Sequence, residues 1–120
     1  MAISASLIGR LGGGAEVDEA PTTGATSSDS WTSIHTVTVP DGGQWLISAY
    51  GDLHTNQTGF SRYPGLRVRE TAIDGPYGSS QRGVSTVVAG PATVDVEIRQ
   101  RAGTGTTTFT GTVYTVPLPD

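Results

Sequence analysis

Two histidines, His35 and His54, are the side chains best suited to acid–base or metal chemistry in this chain of 120 residues, and no cysteine accompanies them. In "GDLHTN" (51–56), Asp52 and His54 fall on one side of an extended backbone, the spacing of an acid/base couple or of two metal ligands. A metal site needs three or four converging ligands, and neither H-x-x-x-H nor E-x-x-H spacing supplies the others. The expectation is no metal, with His54 as a strand-end histidine bonded to a turn. Ser and Thr are abundant, yet G-x-S-x-G and S-x-x-K are both absent, so no nucleophile is marked out by its neighbours. "RAGTGTTTFTG" (101–111) sets glycines beside threonines, but it holds no Lys and leads into β-branched residues rather than a helix whose N-terminus holds phosphate. No catalytic residue and no cofactor is expected.

Recognition chemistry is better represented. "TGFSRYPGL" (58–66) clusters Phe60, Arg62 and Tyr63 between glycines, and "DGPYGSSQRG" (74–83) supplies Tyr77 and Arg82 in a similar setting. Aromatic rings with Arg make protein-interface anchors and sugar-stacking platforms, so these five residues form a candidate exposed contact loop. "NQT" (56–58) matches a glycosylation acceptor, which carries meaning only behind a secretory signal. The opening "MAISASLIGRLGGG" has no basic region followed by an apolar run of signal length, and no stretch approaches the roughly 20 apolar residues of a membrane span. The chain is expected to be made in the cytoplasm and soluble, with no membrane partner. All seven bases are Arg, eleven acids outnumber them, and a net charge of −4 argues against a nucleic-acid partner, because phosphate binding requires a positive field.

The elements that position these residues are strands. Seventeen Gly and eighteen Thr leave no window with helical apolar spacing. "TVDVEIRQR" (93–101) alternates Val94, Val96 and Ile98 against Asp95, Glu97, Arg99 and Arg101, the pattern of a half-buried antiparallel strand. "WTSIHTVTV" (31–39) and "QWLISAY" (44–50) flank "PDGG", whose Pro and paired glycines predict a hairpin turn. In the first of these strands Trp31, Ser33, His35, Val37 and Val39 share a side. The second is apolar on both faces and is expected to lie centrally between packed layers. "GLRVRE" (65–70) and "VSTVVA" (84–89) are further strands, joined by a long turn-rich connection, and strands 93–101 and 106–116 are expected to form a second hairpin. With "AISASLI" (2–8) as an extra edge strand, about seven short strands predict an all-β antiparallel β-sandwich of jelly-roll type over residues 31–120.

Residues 1–30 are expected to form an extended N-terminal arm. In "GRLGGGAEVDEAPTTGATSSDS" (9–30), fifteen of 22 positions are Gly, Ala, Ser, Thr or Pro, and only Leu11 and Val17 are large and apolar. Fixing 22 residues costs roughly 20 to 40 kcal/mol of backbone entropy. Burying Leu11 and Val17 returns only roughly 3 to 6 kcal/mol. The arm is therefore expected to gain its order on a partner subunit, with Leu7, Ile8 and Leu11 as apolar anchors. Arg10, Glu16, Val17, Asp18 and Glu19 complete the contact set, and a segment charge of −3 favours a basic surface.

The start "MAISASLIG", the Gly/Thr/Ser-rich leader, the stretches "VTVPDGGQWLISAYGDL" and "VDVEIRQRAGTGTTTFTGTVYTV", and Arg in place of Lys resemble small virion structural proteins of tailed phages that infect high-GC hosts. The resemblance spans most of the chain and is one of style, so it transfers no functional residue. It implies a virion location and a non-enzymatic homo-oligomer, most often a trimer, seated against the major capsid protein or other virion subunits as a capsid decoration protein. The alternative it implies is a tail-tip or fibre module that binds a host receptor or glycan through Phe60, Arg62, Tyr63 and Tyr77.

Overall fold

A computed structural model describes residues 17–56, 64–75, 78–100 and 105–119. Among them the chain forms eight strands: β1 (Asp18–Thr26), β2 (Thr32–Val39), β3 (Gln44–Thr55), β4 (Pro64–Val68), β5 (Thr71–Asp74), β6 (Gly78–Ala89), β7 (Ala92–Gln100) and β8 (Thr107–Leu118). They make two antiparallel four-stranded sheets, ordered β1-β8-β3-β6 and β2-β7-β4-β5, here called sheets A and B. Alternation decides what each strand buries. In β7, Val94, Val96 and Ile98 lie in the core while Asp95 is exposed and Glu97 half-buried, as the period of two requires. Ile47, Ala49 and Leu53 of β3, Leu66 and Val68 of β4, Val84 and Val88 of β6, and Phe109 and Val113 of β8 complete the layer between the sheets. Among the described residues no helix is long and apolar enough to cross a membrane.

Neither expected hairpin forms. Gly42 and Gly43 do adopt the positive φ, +93° and +75°, that their positions in "PDGG" suggested. The chain nevertheless crosses from sheet B to sheet A there, since β2 pairs with β7, whereas β3 pairs with β6 and β8. Residues 93–100 and 107–118 also lie in different sheets. Strand lengths are matched in the pairs that do form: β3, β6 and β8 each have 12 residues, which leaves few of their backbone groups without a ladder partner, and β2 and β7 have 8 and 9. Among the described residues the one tight hairpin joins β4 to β5 through Arg69 and Glu70, with Arg69 at φ +56°. "GLRVRE" is thus a strand followed by a turn, and the predicted long connection contains β5 and the first half of β6.

The predicted boundary at residue 30 is also corrected. Residues 18–26 form β1, which pairs with β8 along its whole length, from Asp18 opposite Thr115 to Thr26 opposite Thr107. Backbone hydrogen bonding to β8 orders this polar segment, so apolar burial is not required. Small inward residues suit the narrow edge of the sandwich, because a methyl group on Gly24 would collide with Ile34 of β2. Ser28, just after β1, accepts a hydrogen bond from the Gln100 backbone N–H at 2.8 Å. Residues 1–16, including the expected strand 2–8, lie outside the described residues.

Trp31 is corrected for a different reason. The β2–β7 register shifts between Ser33 and His35, a bulge that inserts one residue. His35, Val37 and Val39 keep their inward phase. Ser33, opposite Glu97, and Trp31 before it turn to the outer face instead. β3 does lie centrally within sheet A, but among the described residues no further layer covers its outer face, where Tyr50 is 42% exposed.

Candidate functional site

The two outer faces of the sandwich have opposite chemistry. On sheet B, Arg67 donates to Glu97 through Nε and approaches it through Nη2, each at 2.9 Å from Oε1. Arg99 lies 3.9 Å from Asp74, and Ser33 and Thr36, brought to one side by the bulge, both donate to Asp95 Oδ1, at 3.2 and 2.7 Å. The Trp31 ring lies over Gly65, with the guanidinium carbons of Arg67 and Arg99 at 4.6 and 4.2 Å from its centroid. Arg67, Glu97 and Asp95 thus find partners within this face, while Arg99 Nε is buried without a hydrogen-bond partner among the described residues.

Sheet A presents a gradient instead. Register puts Val116, Leu46 and Val87 in one row across β8, β3 and β6, with Val17 just ahead of β1 at the same end. The adjoining rows bring Tyr114 opposite Glu19 and Ser48, then Tyr50 between Thr112 and Gly83. Val87 is 51% exposed, and with Tyr50 it is one of the two large apolar side chains most open to solvent among the described residues. A methyl group on Gly83 would lie 2.9 Å from the Tyr50 ring, so the glycine leaves that ring room to lie flat on β6. Towards the other end the face turns polar, with Asp52 beside Thr110 and Gln81, and His54 beside Thr108 and Ser79.

Asp52 and His54 share this outer face, as their spacing predicted. His54 Nδ1 lies 2.8 Å from Ser79 Oγ, so its partner is the adjacent strand and not a turn. The pair sits on an open sheet surface, whereas a nucleophile–base couple works when a third group orients the base and donors await an oxyanion. No group of three or more His, Cys, Asp or Glu side chains gathers into a metal-binding cluster among the described residues.

A cleft of about 340 Å³ opens at the seam where the edge strands β1 and β2 diverge. The seam is closed at its other end by Gly24 against Ile34 and by a 3.0 Å hydrogen bond between the Thr26 and Thr32 hydroxyls. Val37, Val39, Pro40 and Trp45 form its apolar wall, and Asp18, His35 and Thr115 add polar groups. The Thr115 hydroxyl is buried with no hydrogen-bond partner among the described residues. Such a wall and rim suit a small amphipathic ligand, at the lower end of the roughly 300 to 1,000 Å³ usual for ligand pockets.

Most of the predicted contact residues lie outside the described ones. Leu7, Ile8, Arg10, Leu11 and Glu16 lie outside the described residues, as do Phe60, Arg62, Tyr63 and Tyr77. Val17 is half-buried, Asp18 lines the cleft, and Glu19 is exposed opposite Tyr114. Arg82 is not in a loop: it lies within β6, half-buried on the inward side with Val84 and Val88, and its Nε is buried without a partner among the described residues. The cleft and the Trp31 cluster were missed because each depends on strands distant in sequence.

No protein-family model matches this chain, and no curated protein matches it. Among solved structures it is similar to the mosquito-larvicidal Cry4Aa toxin from Bacillus thuringiensis, with a TM-score of 0.48 and 8% identity. The match covers 86% of this chain and 24% of the toxin chain, so this chain spans about a quarter of the toxin's length. At that level of likeness the functional reading rests on this chain's own geometry.

Proposed function

We propose that the chain is a non-enzymatic virion structural protein, a capsid decoration subunit that adds buried interface to a phage head. The observation that carries this reading is the apolar end of the sheet A outer face, where Leu46, Val116 and Val87 form a row beside Tyr50 and Tyr114. Rows of this kind on a small protein mark surfaces that bury against another protein. On sheet B, Arg67 and Glu97 pair with each other and Asp95 accepts from Ser33 and Thr36, which leaves that face less reason to associate. Strand order supports a jelly roll, since eight antiparallel strands change sheet at every step except β4 to β5. Residues 1–16 then serve as the docking arm, leading into Val17 at the apolar end of sheet A. In an oligomer each contact reinforces the others, because one re-forms while its neighbours hold.

The test compares phage heads with and without the protein, reading DNA release on heating and binding of the Val87→Asp variant by co-sedimentation. Earlier release from bare heads, and loss of Val87→Asp binding, are expected. Equal release with and without the protein would overturn the reading.

The cleft favours a second reading, a tail or fibre module that takes a glycan between Trp45, His35 and Asp18. Copy number separates the two, since many copies per particle support decoration and a few support a tail position.

A further inference from the structure

The edge strands of a sheet offer unpaired N–H and C=O groups to any passing strand, and natural proteins blunt them with Pro, bulges, charge or shortness. Among the described residues three of the four edges carry such a device. β1 has Pro21, which lacks an N–H, and the acids Asp18 and Glu19 at its start. β2 has the bulge between Ser33 and Ser33's second neighbour His35. β5 is four residues long and ends in Asp74.

β6 carries none of them. It runs 12 residues, about 41 Å at the usual antiparallel rise. Its register with β3 is unbroken from Gly78 opposite Thr55 to Ala89 opposite Gln44. It contains no Pro and no acid, and its single charge, Arg82, lies on the inward side with Val84 and Val88. The residues facing outward, Ser79, Gln81, Gly83, Ser85, Val87 and Ala89, are uncharged, and Val87 is 51% exposed.

We propose that β6 is an open pairing edge whose partner is β6 of a second copy, the two strands running antiparallel about a two-fold axis. An antiparallel strand is its own complement, so one sequence serves both sides of an isologous contact. Opposed residues of an antiparallel pair face the same side, so the axis must pass midway between one residue and the same residue of the other copy. Centred at Val84, the pairing spans nearly all of both strands and sets Arg82 against Thr86 of the other copy, so no like charges meet. The two A sheets then merge into one of eight strands, and Val87 lies opposite Gln81 of the other copy on the shared outer face. This goes beyond the decoration reading. It names the backbone edge that associates and yields a dimer, or a multiple of two, where the resemblance implies a trimer.

The test uses the full chain in solution, away from any phage head, so its outcome is independent of whether the protein decorates one. Sedimentation velocity across a range of concentrations is expected to show a monomer–dimer equilibrium. Hydrogen exchange is expected to show alternate β6 amides gaining protection as the dimer forms. Ser85→Lys places two like charges beside the axis and should weaken dimerisation at least tenfold. Thr23→Lys, the same change on the outer face of β1, should leave it unaltered. A chain that stays monomeric, a trimer, an oligomer whose alternate β6 amides still exchange quickly, or a Ser85→Lys dimer of unchanged affinity would each overturn the proposal.

Discussion

Two threonines on the inner face of β8 should respond oppositely to the same substitution. Thr107 is fully buried and its hydroxyl donates to Gln100 Oε1 at 2.7 Å, an oxygen that also accepts from Thr55 at 2.7 Å. Thr115 is 7% exposed, and its buried hydroxyl has no partner among the described residues. Valine keeps the β-branched shape and exchanges hydroxyl for methyl. At Thr107 the change removes a hydrogen bond worth about 1 kcal/mol net, while Gln100 keeps its bond from Thr55. At Thr115 no bond is lost. The buried hydroxyl there carries a desolvation cost of about 1 to 3 kcal/mol that valine does not. Discounted for local relaxation, Thr115→Val should stabilise the domain by about 1 kcal/mol, raising Tm by about 4 °C at this size. Thr107→Val should destabilise it by about 1 kcal/mol. Urea denaturation followed by Trp fluorescence measures both, with equal slopes required for the comparison. If both variants lose the same stability, or Thr115→Val loses more than about 0.5 kcal/mol, the reasoning about hydroxyl satisfaction here is wrong.

Further outcomes follow from packing. A methyl group at Gly111 would press into the Tyr50 carbonyl oxygen and lie 2.7 Å from Gly51 Cα and 2.8 Å from Phe109 Cζ, so β3 and β8 must part. Gly111→Ala should cost about 3 kcal/mol, at the upper end for overpacking, whereas Gly83→Ala meets only the movable Tyr50 ring and should cost under about 1 kcal/mol by the same denaturation assay. Trp31→Ala removes two cation–π contacts and the cover over Gly65, and should cost about 2 kcal/mol in thermal unfolding; an unchanged Tm would mean that the cluster is only a surface arrangement.

Much of the fold was legible because it is local. The alternation of Val94, Val96 and Ile98 against charged neighbours follows from the two-residue period of an extended chain, and the structure buries those three. Gly42 and Gly43 take positive φ because their residue type permits it. Asp52 and His54 share a face for the same local reason. What a turn leads into is not local, and "PDGG" serves a crossover between sheets as readily as a hairpin. Long-range pairing brought β3 between β6 and β8 and drew residues 18–26 into the sandwich as β1. One inserted residue at the β2 bulge reversed the phase of Trp31 and built the Arg67–Arg99 cluster, a change that no reading of strict alternation registers. The candidate surfaces belong to that second category. Residue types alone determined that this chain forms strands with one buried side. The tertiary structure decided which outer face stays apolar, where β1 and β2 part to open the cleft, and that among the described strands β6 ends sheet A, because each depends on strands far apart in sequence lying side by side.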